Sequence, residues 1–195
     1  MATDSEKKDK DPGSVSSRWK RGSAALAKRI FEADLPEQFI RTIPAQSLYC
    51  VLKHNGLASS ADLLETATVQ QCRIMMDFDL WSGDSFQEET FWEWLAITDA
   101  TEGLELLQKL FKCFDLKLVS LLIARHVNCV VHEEATEQQP GEHFYSPDKG
   151  RTWIRVETED EHKDFLINRL LALIFETDAA LFYQLMSIPG TATPT

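Results

Sequence analysis

The sequence predicts a mainly α-helical fold of irregular helix-hairpin repeats, arranged in the manner of a right-handed superhelix, with one small β-hairpin insert at about residues 129–157. Three observations carry that prediction. Apolar residues recur at helical spacing through most of the 195 residues, only seven Pro and eight Gly interrupt them, and a single segment switches to strand-like alternation around a turn. With 44% hydrophobic and 26% charged residues, a chain of this length can bury a sizeable core.

Residues 1–16 are polar and contain Pro12-Gly13, the composition of a disordered tail. One helical domain is expected over 17–187, followed by a flexible C-terminus over 188–195. Ala24, Leu26, Ala27, Ile30 and Phe31 form the apolar stripe of a helix over 18–33. Leu35-Pro36 closes it and opens the next helix over 36–42, because Pro suits a first helical turn. Further helices are expected over 45–54, 60–66, 69–77, 86–97, 101–113, 116–127, 160–175 and 178–187.

Caps support several of these starts. Thr68 with Gln71, and Thr158 with Glu161, have the spacing of capping boxes, in which two side chains satisfy orphan amides reciprocally. Asp84 with Gln87 is a looser version, and Asp115 reads as a simple N-cap. Segments beginning at Ile43, Ala67, Phe114 and Glu176 repeat one phrase: a helix end, a capping residue, then apolar residues at helical spacing. Their unequal separation predicts irregular stacked hairpins, not a regular solenoid. Between about 128 and 158 the pattern changes. Cys129-Val130-Val131 and the alternating Thr152-Trp153-Ile154-Arg155-Val156 flank a turn at Pro147-Asp148-Lys149-Gly150.

Charge narrows the range of partners. The net charge is −11, and the first 30 residues hold eight Lys/Arg against four acids, leaving 12 basic residues against 27 acids in the remainder. So acidic a body repels phosphate backbones, so no nucleic-acid partner is expected. The apolar run at 165–175 is broken by Asn168 and Arg169 and is too short to span a bilayer, so no membrane insertion is expected either. Cys50, Cys72, Cys113 and Cys129 have no closely spaced pairs and follow no signal peptide, which points to reduced, buried thiols and a cytoplasmic location.

Ser146-Pro147-Asp148-Lys149-Gly150-Arg151-Thr152-Trp153 matches the Asp-box pattern S-x-D-x-G-x-T-W of sialidase-type β-propellers. A propeller needs many strands, and here one copy stands among helices, so the match predicts a capped hairpin turn and no glycosidase. Two sets of residues are metal candidates. His126, Cys129 and His132 offer imidazole and thiolate, with His143 as a fourth ligand, although neither a helix nor a strand makes the three converge. Asp77, Asp79 and Glu88 hint at a cation loop, although Trp81 stands where such a loop needs an oxygen.

Phe78, Trp81, Phe86, Phe91, Trp92 and Trp94 crowd one region, mostly as core. Trp92 points away from Phe91 and is the residue to anchor a partner if exposed. Walker A, G-x-G-x-x-G, H-E-x-x-H, G-x-S-x-G and C-x-x-C motifs are all missing, so no catalytic residue and no cofactor is expected.

Leu35-Pro36, Ile43-Pro44-Ala45-x-x-Leu48-Tyr49, Asp77-Phe78-Asp79-Leu80-Trp81, the 144–156 hairpin and the 165–186 helix pair together resemble an uncharacterised bacterial domain-of-unknown-function family over most of residues 24–187. The resemblance implies no particular activity, and it implies that members often continue further. The helix-hairpin phrasing is also similar, more weakly, to the helical N-terminal domain of MgtE-type magnesium channels, which implies divalent-cation sensing as an alternative. From the residues themselves the leading expectation is a non-enzymatic protein-interaction or regulatory module with an unidentified protein partner. A metal-dependent enzyme at His126, Cys129 and His132 stands as a further alternative.

Overall fold

The computed structural model describes residues 15–32, 37–100 and 104–187. The expected N-terminal tail lies outside them apart from Val15 and Ser16, which belong to the first helix. So do the Leu35-Pro36 junction and the 188–195 C-terminus. The described chain runs α1 (Val15–Glu32), α2 (Glu37–Thr42), α3 (Ala45–Asn55), α4 (Ala61–Thr66), α5 (Val69–Leu80), β1 (Trp81–Ser82) and β2 (Ser85–Phe86). It continues with α6 (Glu88–Ala96), a 3-10 turn (Ile97–Ala100), α7 (Glu105–Phe111), α8 (Leu116–His126), β3 (Val127–Val131), β4 (Thr152–Val156), α9 (Glu161–Thr177) and α10 (Ala179–Met186). The protein is therefore mainly helical with two small two-stranded antiparallel sheets, one more than the sequence predicts.

The unexpected sheet is a minimal hairpin in which Trp81 pairs with Phe86 and Ser82 with Ser85. Gly83 takes φ +61° at the first central position, where a two-residue primed turn calls for glycine. Asp84 is thereby a turn residue and caps nothing. α6 begins after Gln87, which makes no side-chain cap. The Thr68/Gln71 capping box forms as expected. Gln71 then does more: its Nε2 donates to the carbonyls of Ile40 at 3.1 Å and Ile43 at 2.8 Å, fastening α5 to the α2–α3 corner. Asp115 caps α8 through the Lys117 amide. Before α9 the cap is Asp160, which accepts from the His162 and Lys163 amides, while Thr158 accepts one residue too early to close a box.

α1 packs on α3, α3 on α5, α5 on α6 and α6 on α9, while α9 folds back on α10 across the single residue Asp178. A contiguous core runs through this series, from Leu48 and Leu52 through Met75, Phe91 and Trp94 to Ile174 and Phe182. Each such side chain contributes about 1.5–3 kcal/mol by leaving water. The larger hairpin lies on the helices with Cys129 and Ile154 directed into the same core, which supplies the support a two-stranded ribbon lacks in water.

Candidate functional site

The first set of candidate metal ligands does not converge. His126 ends α8, with Nε2 2.7 Å from Glu88 Oε1 and its ring edge-on to Trp92 at 5.7 Å. Cys129 is fully buried on the core face of β3, where burial first and the Asp148 charge second push its thiol up to about 12. His132 continues the strand, its amide bonded to Arg151 O, and strand alternation sends its side chain to the face opposite Cys129. His143 is exposed, at φ +63°.

The second set fails for another reason. Asp79 already accepts from Tyr49 Oη at 3.0 Å, Lys53 Nζ at 2.8 Å and Trp94 Nε1 at 3.0 Å. Glu88 accepts from His126, from Arg125 and from Trp92 Nε1 at 3.2 Å. Partial burial opposes the Glu88 charge, yet these donors outweigh it and hold the carboxyl below its ordinary value. Each carboxylate is occupied by the protein's own donors, and Asp77 is exposed on α5. Among the described residues no group of three or more His, Cys, Asp or Glu is arranged to hold a metal ion.

Trp92 is 6% exposed, wedged edge-on against Phe91 and His126 with the Lys163 ammonium 5.6 Å over its ring. The exposure on which the expectation for Trp92 depended is therefore not met. Helical spacing placed Trp92 apart from Phe91, but α8 and α9 cover that second face.

The Asp-box folds as a capped turn. Asp148 Oδ1 accepts from the amides of Arg151 at 3.1 Å and Thr152 at 2.7 Å and from Ser146 Oγ at 3.0 Å. Ser146 Oγ in turn accepts from the Gly150 amide at 2.7 Å. Gly150 takes φ +98° and lies so close to the backbone of Thr136, earlier in the same connection, that a Cβ would sit 2.0 Å from Thr136 O. The second carboxylate oxygen reaches outward to accept from Tyr183 Oη on α10 at 3.2 Å. Just before the turn, Tyr145 exchanges two backbone bonds with Ile154 and so adds a third short rung to β4. The turn is thus pinned to the sheet on one side and to α10 on the other.

Between this turn and α9 lies a cleft of about 530 Å³, open to solvent and lined by Tyr145, Pro147, Asn168, Leu171, Ala172, Phe175 and Glu176. The five helical residues stand at i, i+3, i+4, i+7 and i+8, one face of α9. Its walls are mainly apolar. Asn168 donates through Nδ2 to Asp164 O at 2.9 Å and Asp164 Oδ2 at 3.1 Å, and its Oδ1 is buried with no hydrogen-bond partner. Burial, with the Asp164 charge adding to it, pushes the Tyr145 hydroxyl up to about 12, so it stays a neutral donor near pH 7. No Ser, Cys, His or Lys lines the cleft; its polar side chains are those of Tyr145, Asn168 and Glu176.

That site was readable in part. The stripe from Asn168 to Glu176 is visible in the sequence as a helical face that contains a polar residue within an apolar run. Nothing in the sequence, however, indicates that the Asp-box turn closes over it.

A mainly helical domain carrying an Asp-box hairpin, with an open, largely apolar cleft between the turn of that hairpin and one helix, is the class that fold and geometry define. A family model described as a family of unknown function, DUF6178, matches residues 21–193, and the chain belongs to that family. No curated protein and no solved structure matches the chain, so the similarity to MgtE-type channels gains no support.

Proposed function

We propose that this chain is a protein-interaction module, and that the cleft between the Asp-box turn and α9 receives an apolar side chain of a partner segment with a basic residue beside it. The observation that carries the proposal is the cleft itself: preformed, apolar, and bordered by the Glu176 carboxylate. Because it is open along one side, it would leave a free small molecule half solvated, whereas a peptide brings its own backbone to cover the opening. Net charge supports the choice of neighbour, since a −11 chain attracts a basic segment and steers it inward.

Ala172 lies exposed on the cleft wall, so Ala172→Trp fills the cleft without entering the core. Selecting from a random peptide library on the full chain is expected to enrich sequences with an aromatic or aliphatic residue next to Lys or Arg. Their affinity should fall at least about tenfold on the Ala172→Trp variant, which corresponds to one hot-spot contact. Peptides that bind both proteins equally would refute the assignment.

A further inference from the structure

The four cysteines are scattered through the sequence, yet the fold brings two of them together. Cys72 lies in α5 and is fully buried, whereas Cys113 follows the end of α7 and is 8% exposed. Cys113 Sγ is 3.4 Å from Val69 O, one turn before Cys72 on α5, and 3.3 Å from Lys109 O. Cys72 Sγ lies 3.7 Å from Leu64 O, the same carbonyl that accepts from Lys109 Nζ at 3.0 Å. Lys109 donates also to Glu65 O, and to Ala67 O at 2.7 Å. The Cys72 thiol and the Lys109 ammonium therefore share the Leu64 carbonyl near the end of α4, while the Cys113 thiol lies against the first turn of α5, where α4, α5 and α7 meet.

Cys113 Sγ thus lies against the turn of α5 that carries Cys72, and each thiol acts on the ionisation of the other. Cys72, donating toward Cys113, is the largest influence holding the Cys113 thiol below its ordinary value. Burial opposes it, and the Arg73 and Lys109 charges assist it. The same contact, with burial, drives the Cys72 thiol up.

We propose that Cys72 and Cys113 form a reversible redox pair, in which a hydroperoxide oxidises Cys113 and Cys72 then closes a disulfide. With hydrogen peroxide, the Cys113 thiolate attacks one peroxide oxygen and the O–O bond breaks. Cys113 becomes a sulfenic acid, and the departing hydroxide takes up the proton that Cys113 had released, giving water. The Cys72 sulfur next attacks the Cys113 sulfur, the S–OH bond breaks, and hydroxide leaves with the Cys72 proton as a second water. Both sulfurs are oxidised and one peroxide is reduced. Exposure assigns the roles, since Cys113 keeps a small solvent-accessible fraction, 8%, through which the oxidant arrives, while Cys72 has none. The bridge would tie α5 to the end of α7, beside the lysine that caps α4.

The test is hydrogen peroxide treatment of the full chain, followed by differential alkylation and peptide mass spectrometry. Exposure alone predicts that Cys50, the least buried of the four, reacts first. The redox pair predicts that Cys113 disappears at least about threefold faster than Cys50, because thiolate character governs the rate. A Cys72–Cys113 bridged peptide lacking two hydrogens should appear and be reversed by dithiothreitol.

In Cys72→Ser, sulfenic acid should accumulate at Cys113 and be trapped by dimedone. In Cys113→Ser no bridge should form, and in Cys50→Ser the bridge should form unchanged. Oxidation of Cys50 ahead of Cys113, or a bridge that appears only in denaturant, would overturn the proposal. Should a serine variant lose its helical circular dichroism, the order of reaction in the wild type decides alone.

Discussion

Tyr49 and Lys53 from α3 and Trp94 from α6 all donate to the carboxylate of Asp79 on α5, whose side chain is only 7% exposed. The Asp-x-Asp spacing at residues 77 and 79 is legible in the sequence, but a spacing does not say which donors will arrive. Here they come from two other helices, so a pattern that hints at a cation is instead a joint among α3, α5 and α6. Asp79→Asn should cost about 2–4 kcal/mol in denaturant unfolding, because buried donors lose a charged acceptor. Burial first, and the Asp79 charge next, push the Tyr49 hydroxyl up to about 12. In the same variant the ultraviolet titration of Tyr49 should therefore move down toward 10.0. An unchanged Tyr49 titration would contradict the joint. Trp92 teaches the same lesson in reverse: its helical phase is correct, but its burial depends on α8 and α9, which arrive from far along the chain.

Elements defined by local rules were the most legible. The Thr68/Gln71 box and the Asp115 cap form because every partner lies within three residues. The large hairpin was legible from alternation and from the Asp-box, whereas Trp81–Phe86 was not, since two-residue strands are too short to show a period. Glycines now separate the two turns. Gly150→Ala combines a positive φ with a collision against Thr136 O and should destabilise by about 3 kcal/mol. Gly83→Ala meets open space at φ +61° and should cost only about 1 kcal/mol. Thermal or denaturant melts of the two variants would check that ranking.

The turn should also sense acid. Burial works against the Asp148 charge, but the Thr152 amide and the Ser146 and Tyr183 hydroxyls outweigh it and hold the carboxyl below 3.8. A depressed carboxylate contributes stability at pH values above 3.8 and loses it as pH falls through the lower folded value. Amide exchange across Gly150–Thr152 should thus accelerate below about pH 4 in the wild type, by linkage to this proton. In Asp148→Asn it should be fast throughout and no longer depend on that proton.

At the scale of the molecule, helical content and the approximate course of the helices follow from apolar periodicity, because each helix buries one face in a single connected core. The cleft was not legible to the same degree. Its α9 wall is a sequence-local stripe, but its other wall is brought there by Tyr183 holding Asp148 across the gap between α10 and the hairpin. Removing that hydroxyl with Tyr183→Phe should loosen the turn and weaken any cleft-bound peptide about threefold to tenfold, the value of one hydrogen bond to a charged group partly exposed to water. Isothermal titration against the wild type would measure it.

The most direct test of the interaction module is an amide and side-chain chemical-shift map of the full chain titrated with a library-selected apolar-basic peptide. The cleft predicts that the largest changes fall on Tyr145, Asn168, Ala172 and Phe175 and vanish in Ala172→Trp. Changes centred instead on the exposed Phe78 and Trp81, persisting in that variant, would contradict it.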